Sequence, residues 1–301
     1  MPRSKGAEQR RAGLWISHAT VGRLEIHGIA DARPAPVDPE RSYPDVPRAA
    51  WEPHRRWLTA DGLFQPDLGC FVVRAPSCVV LIDAGIGRGP VSYLGDARGT
   101  LLDALAKLGI AADSVAAVIF THLHFDHVGW ASTPGPDGRA RPTFPKARHF
   151  VGQTEWAFWD QGPANVMAHH RDAFAEIVRP VEAAGLLTVV ADGSSPIEGF
   201  AYRRLPGNTP GHQGVMATSD GQSCLFAADI CHSPVQVAEP LWSHRSDVDP
   251  AAGCATRHAV FSELADTGTL LAFGHFPRGA DLGHVRRQAG GWAWHPLGQG
   301  D

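Results

Sequence analysis

The sequence predicts a single α/β (α+β) domain, and three features of its apolar pattern support that fold class. Short apolar runs at residues 70–73, 78–82 and 115–120 predict buried strands, the first two joined as a hairpin. Leucines at positions 101, 102, 105 and 108 have the spacing of an amphipathic helix. The alternation returns in the second half, where further strands and a helix over residues 249–265 are predicted.

The domain is predicted to cover residues 21–301, after a loose polar tail over residues 1–20. Proline-rich, charged residues 31–50 predict a long surface loop, and residues 131–147, rich in Pro and Gly, predict another. Within the sequence, no apolar run reaches the roughly 18 residues that a membrane span needs.

Charge and cysteine content narrow the class of protein. The 27 Lys+Arg and 31 Asp+Glu residues give a formal net charge of −4, and basic residues form no long run, so no nucleic-acid partner is expected. The five cysteines are odd in number and have no CxxC spacing, which favours reduced thiols over a disulfide framework. These features, with no apolar leader and no membrane span, indicate a cytoplasmic protein.

A cluster of metal-binding side chains follows the apolar run at residues 115–120. His122, His124, Asp126 and His127 occupy four of the six positions from 122 to 127, at the end of a predicted buried strand. Imidazole and carboxylate groups are the ligands that hold zinc and similar divalent metals. One short loop with four such groups can serve two adjacent metals, which is a common arrangement for hydrolysing esters, amides and phosphoesters.

Three further residues stand next to predicted strands, where ligands from separate strands can meet. His212 lies in a turn between two strands, Asp229 follows the apolar run 224–228, and His275 follows the run 270–273. Each of them taken alone is a weak signal, because a histidine or aspartate beside a strand is usually a turn or surface residue. Together with the cluster they complete the ligand set of two metals.

The order of these residues resembles that of the metallo-β-lactamase superfamily, and the segment 81–85 around Asp83 resembles the first motif of that family. The resemblance implies an αββα sandwich with two divalent metals at one edge, most simply zinc, with iron, cobalt and manganese left open. It implies that one metal is bound by His122, His124 and His212, and the other by Asp126, His127 and His275. Asp229 would bridge both metals, and Asp83 would orient a ligand imidazole.

Within the family, the sequence is similar to the methyl parathion hydrolase and lactonase-like branch. The segments 121–130 and 229–236 carry this similarity. A carboxylate at position 229 disfavours the class B β-lactamases, which commonly have Cys or Ser there. Acyl-homoserine lactonases have a tyrosine three residues after the bridging aspartate, where this chain has His232. His232 is therefore a candidate donor to a substrate oxyanion, and a packing role is the alternative.

The predicted activity is hydrolysis of lactones or esters by a metal-bridging hydroxide, with organophosphate triesters as a further substrate class. The catalytic candidates are Asp229, Asp126 and His232. Trp130 and Trp156, together with His232, are predicted to contact a small hydrophobic substrate, because two or three of the nine tryptophans are expected to line the pocket. Two alternatives stay open: a thioesterase acting on a carrier-bound substrate, and an iron-dependent oxidative enzyme. The resemblance also implies a homodimer.

Overall fold

The structure of the protein is a computed structural model, and it describes residues 14–297. The strands in this part of the chain are β1 (Trp15–Val21), β2 (Leu24–Ala32), β3 (Leu68–Arg74), β4 (Val79–Ile82), β5 (Val115–Ile119), β6 (Ser132–Pro134), β7 (Ala140–Pro142), β8 (Arg148–Gly152), β9 (Leu187–Val190), β10 (Phe200–Arg204), β11 (Gln213–Ser219), β12 (Gln222–Phe226), β13 (Leu270–Ala272), β14 (Leu282–Gln288) and β15 (Gly291–Pro296).

The α-helices of the same residues are α1 (Pro39–Ser42), α2 (Leu101–Lys107), α3 (Phe125–Val128), α4 (Gln153–Asp160), α5 (Ala168–Ala173), α6 (Arg179–Ala183), α7 (Val235–Ala238) and α8 (Pro250–Leu264). A π-helical turn, Phe174–Val178, joins α5 to α6. Short 3-10 helices cover Arg48–Trp57, Ser92–Leu94, Ala112–Ser114 and Ala228–Ile230. No helix between residues 14 and 297 is both long and apolar enough to cross a membrane.

Two mixed sheets face each other at the centre of the fold. The first has the strand order β1-β2-β3-β4-β5-β8-β9, the second has the order β10-β11-β12-β13-β14-β15, and β6 and β7 form a small separate hairpin. Ile26, Val80 and Ile119 of the first sheet share one apolar core with Val215 and Phe226 of the second. Two further cores lie on the outer faces of the sheets, where helices cover them. The layers are therefore helix, sheet, sheet and helix, which confirms the predicted αββα sandwich.

Strand direction explains why distant ligand candidates meet. β4 and β5 are parallel, so Asp83 and the cluster after β5 leave the first sheet at the same edge. β12 and β13 are also parallel, so Asp229 and His275 follow strand ends that share an edge of the second sheet. β11 is antiparallel to β12, and His212 therefore enters that strand from the same edge.

Three predicted boundaries need correction. Of the predicted tail, residues 1–13 lie outside the described residues, but Trp15–Val21 is strand β1 and pairs with β2, so ordered structure begins before residue 21. Residues 31–50 contain α1 and the start of a 3-10 helix, and Tyr43 within them is fully buried. Residues 131–147 contain the β6–β7 hairpin. Strand β1 is ordered by pairing with β2, and Tyr43 by the hydrogen bond from its hydroxyl to Gln236 Oε1 at 3.1 Å, whereas the β6–β7 hairpin pairs residues only six to ten positions apart.

A buried histidine in β8 gives a testable pH dependence. His149 is fully buried, and neither ring nitrogen has a hydrogen-bond partner among residues 14–297. Burial lowers its pKa from 6.5 to about 4. The unfolded chain thus binds a proton between these values while the folded chain does not, so this residue makes stability fall as pH falls from 6.5 toward 4.

We expect His149→Leu to lose less stability on acidification than the wild type does. Between pH 7.5 and pH 5 the difference should be about 2 kcal/mol, at about 1.4 kcal/mol per pKa unit. Urea unfolding at both pH values measures it. His295→Leu, at an exposed position of β15, is the matched control and should follow the wild type. Parallel pH profiles for wild type and His149→Leu would contradict the prediction.

Candidate metal centre

The loop after β5 and the start of α3 together bring four candidate ligands into a buried cleft. β5 ends at Ile119, and α3 begins at Phe125, so residues 120–124 form a short loop against the sheet edge. His122, His124, Asp126 and His127 are all at most 7% exposed. Three histidines and an aspartate that are withdrawn from water in this way need polar partners within the site.

Asp229 provides the centre of the arrangement. Its Oδ1 lies 3.1 Å from Nε2 of both His127 and His275, and its Oδ2 lies 3.6 Å from Nε2 of His122. Asp126 stands on the far side, with Oδ2 3.6 Å from His275 Nε2 and 3.9 Å from His127 Nε2. Oδ2 also lies 3.2 Å from His275 Nε2, so the two carboxyl oxygens of Asp229 together face the imidazoles of His122, His127 and His275.

Within residues 14–297, three sets of side chains are close enough to hold a metal, and one of them is Asp229, His232 and His275. The other two sets consist only of ligands predicted from sequence. One consists of His122, His124 and Asp229, the other of Asp126, His127 and His275, and within each group the ligand atoms lie within 4.8 Å of one another. His212 is beside the first group: its ring centroid is 4.9 Å from that of His122. Its Nε2 accepts a hydrogen bond from the backbone N–H of Asp229 at 3.1 Å, and its Nδ1 donates to the carbonyl of Leu205 at 2.8 Å.

Unpaired buried atoms show that these residues fit divalent metals. His122 Nε2, His127 Nε2 and Asp229 Oδ1 are buried and have no hydrogen-bond partner among the described residues. Buried polar atoms are normally satisfied, so three orphans that converge on one point call for a cation. The donor set of imidazole nitrogens and carboxylate oxygens is one that zinc, iron, cobalt or manganese accepts.

The protonation states suit metal binding on the His122 side. Burial lowers the pKa of His122 and His124 well below 6.5, and that of His212 to about 4, so these imidazoles are neutral at pH 7. Burial opposes ionisation of Asp229, but the surrounding imidazoles, His275 first, hold the pKa of its carboxyl well below the usual value. For His127, burial is outweighed by the carboxylates of Asp229, Asp83 and Asp126, which raise its pKa.

Asp83 stands behind the ligands, as the sequence predicted. It accepts hydrogen bonds from His127 Nδ1 and from Thr121 Oγ1, each at 2.8 Å, and from the backbone N–H of Thr121 at 2.8 Å. These bonds direct Nε2 of His127 toward Asp229 and fix the start of the ligand loop. Orienting partners of this kind commonly affect metal affinity by about 10–100-fold.

Glu155 is a second supporting carboxylate, and sequence reasoning missed it. It is fully buried in α4 and accepts hydrogen bonds from the backbone N–H of Leu123 at 2.9 Å, from Trp159 Nε1 at 2.6 Å and from Thr209 Oγ1 at 2.5 Å. Burial raises its pKa to about 7. It ties the His122–His124 loop to the turn before His212. Its sequence signal is weak, because Glu155 is one of two acidic residues in α4 and belongs to no motif.

His232 lies at the edge of the second ligand group. Its Nε2 is 3.1 Å from Asp229 Oδ2 and 3.1 Å from Ser246 Oγ. Its ring stacks on His244 with centroids 3.8 Å apart and on His275 with centroids 4.8 Å apart. The backbone N–H of His232 donates to Gln236 Oε1 at 2.7 Å. Packing and hydrogen bonds therefore hold this imidazole against the metal centre.

A cavity of about 570 Å³ opens above the candidate ligands. His124, Asp126, Asp229, His232 and His275 form its floor. Most of its walls are apolar or aromatic, and these wall residues are Pro34, Ala35, Pro36, Val37, Phe64, Pro66, Leu68, Tyr93, Leu94, Phe125 and Met167. The volume is that of a typical small-molecule site.

The tryptophans predicted to bind substrate are elsewhere. Trp130 is 4% exposed, and its Nε1 donates to both carboxyl oxygens of the buried Asp31, at 3.1 and 3.3 Å. Trp156 packs against Phe174 and the guanidinium of Arg179. Neither lines the cavity, and the prediction of two or three tryptophans in its walls is wrong for residues 14–297. Sequence reasoning instead missed three wall residues. Tyr93 and Met167 belong to no motif, and Phe125 lies within the segment 121–130 but was not recognised as a wall residue.

The αββα sandwich and the histidines and aspartates gathered at its edge define a class of metal-binding proteins. The chain belongs to the metallo-β-lactamase superfamily, whose family model matches residues 70–275. This match confirms the family resemblance seen in the sequence. It includes every proposed ligand, from the cluster after β5 to His275.

The chain is also similar to curated proteins at low sequence identity. The metallo-hydrolase mfmC of Annulohypoxylon moriforme is 27% identical over 220 residues, which cover 62% of this chain and 53% of that protein; the match thus spans about half the relative's length. An N-acyl homoserine lactonase of Bacillus thuringiensis is 20% identical over 235 residues, covering 72% of this chain and 84% of the lactonase.

Solved structures share the fold over nearly the whole chain. A hydrolase of the β-lactamase superfamily, AbOPH, has a TM-score of 0.83 and 25% identity, covering 96% of this chain and 99% of that one. AidC, a dizinc quorum-quenching lactonase solved with a product, has a TM-score of 0.80 and 22% identity, with the same coverage.

Proposed function

We propose that the protein is a dinuclear metallohydrolase of lactones and carboxylic esters with apolar acyl groups. The observation that carries the proposal is the position of Asp229, whose carboxyl oxygens lie within 3.6 Å of imidazoles from both groups of candidate ligands at the floor of a largely apolar cavity. Two relatives described as lactonases support the substrate class. Organophosphate triesters are a second candidate class, because a dinuclear site also suits phosphoryl centres.

The proposed ligand assignment is the one that the family resemblance implies, and the grouping of His122 with His124, and of Asp126 with His127 and His275, supports it. His122, His124 and His212 would hold one metal, Asp126, His127 and His275 the other, and Asp229 both. When bound, the two metals supply an activated water at neutral pH and Lewis-acid stabilisation of the oxyanion. Zinc is the proposed metal, because nitrogen and carboxylate ligands suit it and AidC is described as a dizinc enzyme.

The protein's own side chains position the substrate. The apolar walls bind the acyl group and exclude water from the floor of the cavity. His232, held by Gln236 and stacked between two imidazoles, is placed to donate a hydrogen bond to the carbonyl oxygen as its charge develops. Asp126 also faces the cavity, where its carboxylate can take the proton that the attacking water loses and pass it to the departing alkoxide.

A substrate panel tests the proposal. The protein is stripped with a chelator, reconstituted with zinc, and offered a γ-lactone with a long acyl chain, an aromatic lactone, a p-nitrophenyl ester, methyl parathion and a cephalosporin. We expect lactone and ester hydrolysis that the chelator abolishes and zinc restores. Turnover of methyl parathion alone would assign the phosphotriester class instead. No turnover by protein with two bound metals would overturn the proposal in favour of a thioesterase or an iron-dependent oxidative enzyme. Hydrolysis of an acyl thioester by the zinc-loaded protein would then indicate the thioesterase, and dioxygen consumption after iron loading would indicate the oxidative enzyme.

A further inference from the structure

Two arginines line the cavity at a distance from its catalytic floor. Arg41 is in α1 and Arg245 is in the loop between α7 and α8. Both are exposed, whereas Asp229 on the floor is 2% exposed, so the arginines belong to the outer part of the cavity. The backbone N–H of Arg245 donates to the carbonyl of Ser42 at 2.9 Å. This bond joins two segments about 200 residues apart in sequence and brings both arginines to one wall.

The carboxylates nearest to these arginines in sequence are engaged elsewhere. Asp38 forms an ion pair with Arg48 at 2.5 Å, and Glu40 accepts the backbone N–H of Arg48 at 2.8 Å. Asp247 is buried and faces Arg257 at 3.6 Å. Arg41 and Arg245 form no ion pair with any residue between 14 and 297.

The electrostatics show two unneutralised cations close to each other. Burial lowers the pKa of Arg245, and the charge of Arg41 lowers it further. The positive charge of Arg245 also reaches into the cavity, where it contributes to lowering the pKa values of His169 and His244 after the larger effect of burial. Like charges held together without a counter-ion are unfavourable, and an anion placed between them removes the repulsion.

We propose that Arg41 and Arg245 form an anion-binding subsite that recognises a carboxylate or phosphate group of the substrate, remote from the bond that is cleaved. A guanidinium presents a planar fork of donors that matches the oxygens of either group. The preferred substrate is then an ester or lactone with an apolar middle, an anionic terminus and a scissile carbonyl at the metals. This inference rests on the proposed hydrolase function and narrows its substrate class.

Ester pairs of matched length test the subsite in the zinc-loaded, full-length protein. The probes are p-nitrophenyl monoesters of glutarate, adipate and pimelate, their neutral p-nitrophenyl alkanoate counterparts, and one ester that ends in a phosphonate. We expect kcat/KM to be higher for an anionic ester than for its neutral counterpart, with the gain decreasing as salt increases. If kcat/KM is higher for the ester that ends in a carboxylate than for the one that ends in a phosphonate, the subsite recognises a carboxylate. The reverse order would mean that it recognises a phosphate.

Substitutions separate recognition from folding. Arg41→Gln and Arg245→Gln should each reduce kcat/KM for the anionic ester about tenfold, mainly through KM, and leave the neutral ester unchanged. Arg286→Gln, at an exposed position of β14 away from the cavity, is the matched control. Equal loss for both esters, or a wild type without preference for the anionic ester, overturns the subsite. Absence of hydrolysis of even the neutral esters would instead mean that the proposed function itself has failed.

Discussion

We expect Asp229→Asn to reduce kcat/KM for hydrolysis by more than about 100-fold and to lower the bound metal below two ions per chain. Loss of a partner that merely orients a ligand costs about 10–100-fold, and a ligand shared by two metals must cost more. The amide keeps the shape of the side chain but loses the charge, and its nitrogen cannot coordinate a metal. One of the imidazoles that now face Oδ1 or Oδ2 would then face an N–H donor.

Two measurements follow this variant. Elemental analysis of metal per chain reports the ligand role, and kcat/KM on the best ester or lactone reports the chemistry. Asp113→Asn is the matched control, because that aspartate is exposed and pairs only with Lys146 among the described residues. An Asp229→Asn protein that retained two metals and full activity would show that the bridging assignment is wrong.

We expect Gly129→Ala to lower the free energy of unfolding by about 3 kcal/mol, which is the upper part of the usual range for overpacking a rigid site. A Cβ at residue 129 would lie 2.0 Å from the carbonyl carbon of Ile86 and 2.3 Å from the backbone nitrogen of Gly87. These atoms are backbone, so no side chain can turn away. Gly129 N–H also donates to the carbonyl of Gly85 at 2.7 Å, next to the bond from Ala84 N–H to the carbonyl of His127.

The clash would therefore reach the metal centre, since the displaced segments, the end of α3 and the chain after β4, carry His127 and its partner Asp83. Thermal unfolding measures the effect, with an expected decrease in Tm of roughly 5–10 °C for a chain of this size. Gly253→Ala is the control: its Cβ would have ordinary contacts of 3.4 Å or more within α8, and alanine favours a helix by about 1 kcal/mol. An unchanged Tm for Gly129→Ala would contradict the close backbone approach.

The ligand candidates could be predicted from sequence because each follows or precedes an apolar run that reads as a strand. His122, His124, Asp126 and His127 are also close enough in sequence that one loop brings them together. The supporting carboxylates differ in this respect. Asp83 belongs to a motif, but Glu155 binds Leu123, Trp159 and Thr209 through a packing arrangement that no local pattern encodes.

Trp130 shows the limit of composition as a guide to substrate contacts. It stands within the most informative segment of the chain, yet its indole turns away from the cavity to Asp31, a residue about a hundred positions earlier. Apolar and aromatic character predicts that a side chain avoids water. It does not distinguish the wall of a substrate cavity from the core behind it.

Strand periodicity and the chemistry of imidazole and carboxylate groups are local properties, so the α/β (α+β) class and the candidate metal ligands could be predicted from sequence alone. The αββα arrangement and the division of the ligands between two metals came from the family resemblance. Only the tertiary structure decided which walls enclose the cavity, that Glu155 supports the ligand loop, and that Arg41 and Arg245 share one side of the site. Those relations depend on contacts between segments up to about 200 residues apart. They follow from how the two sheets and their covering helices pack, which the local pattern of residues does not specify.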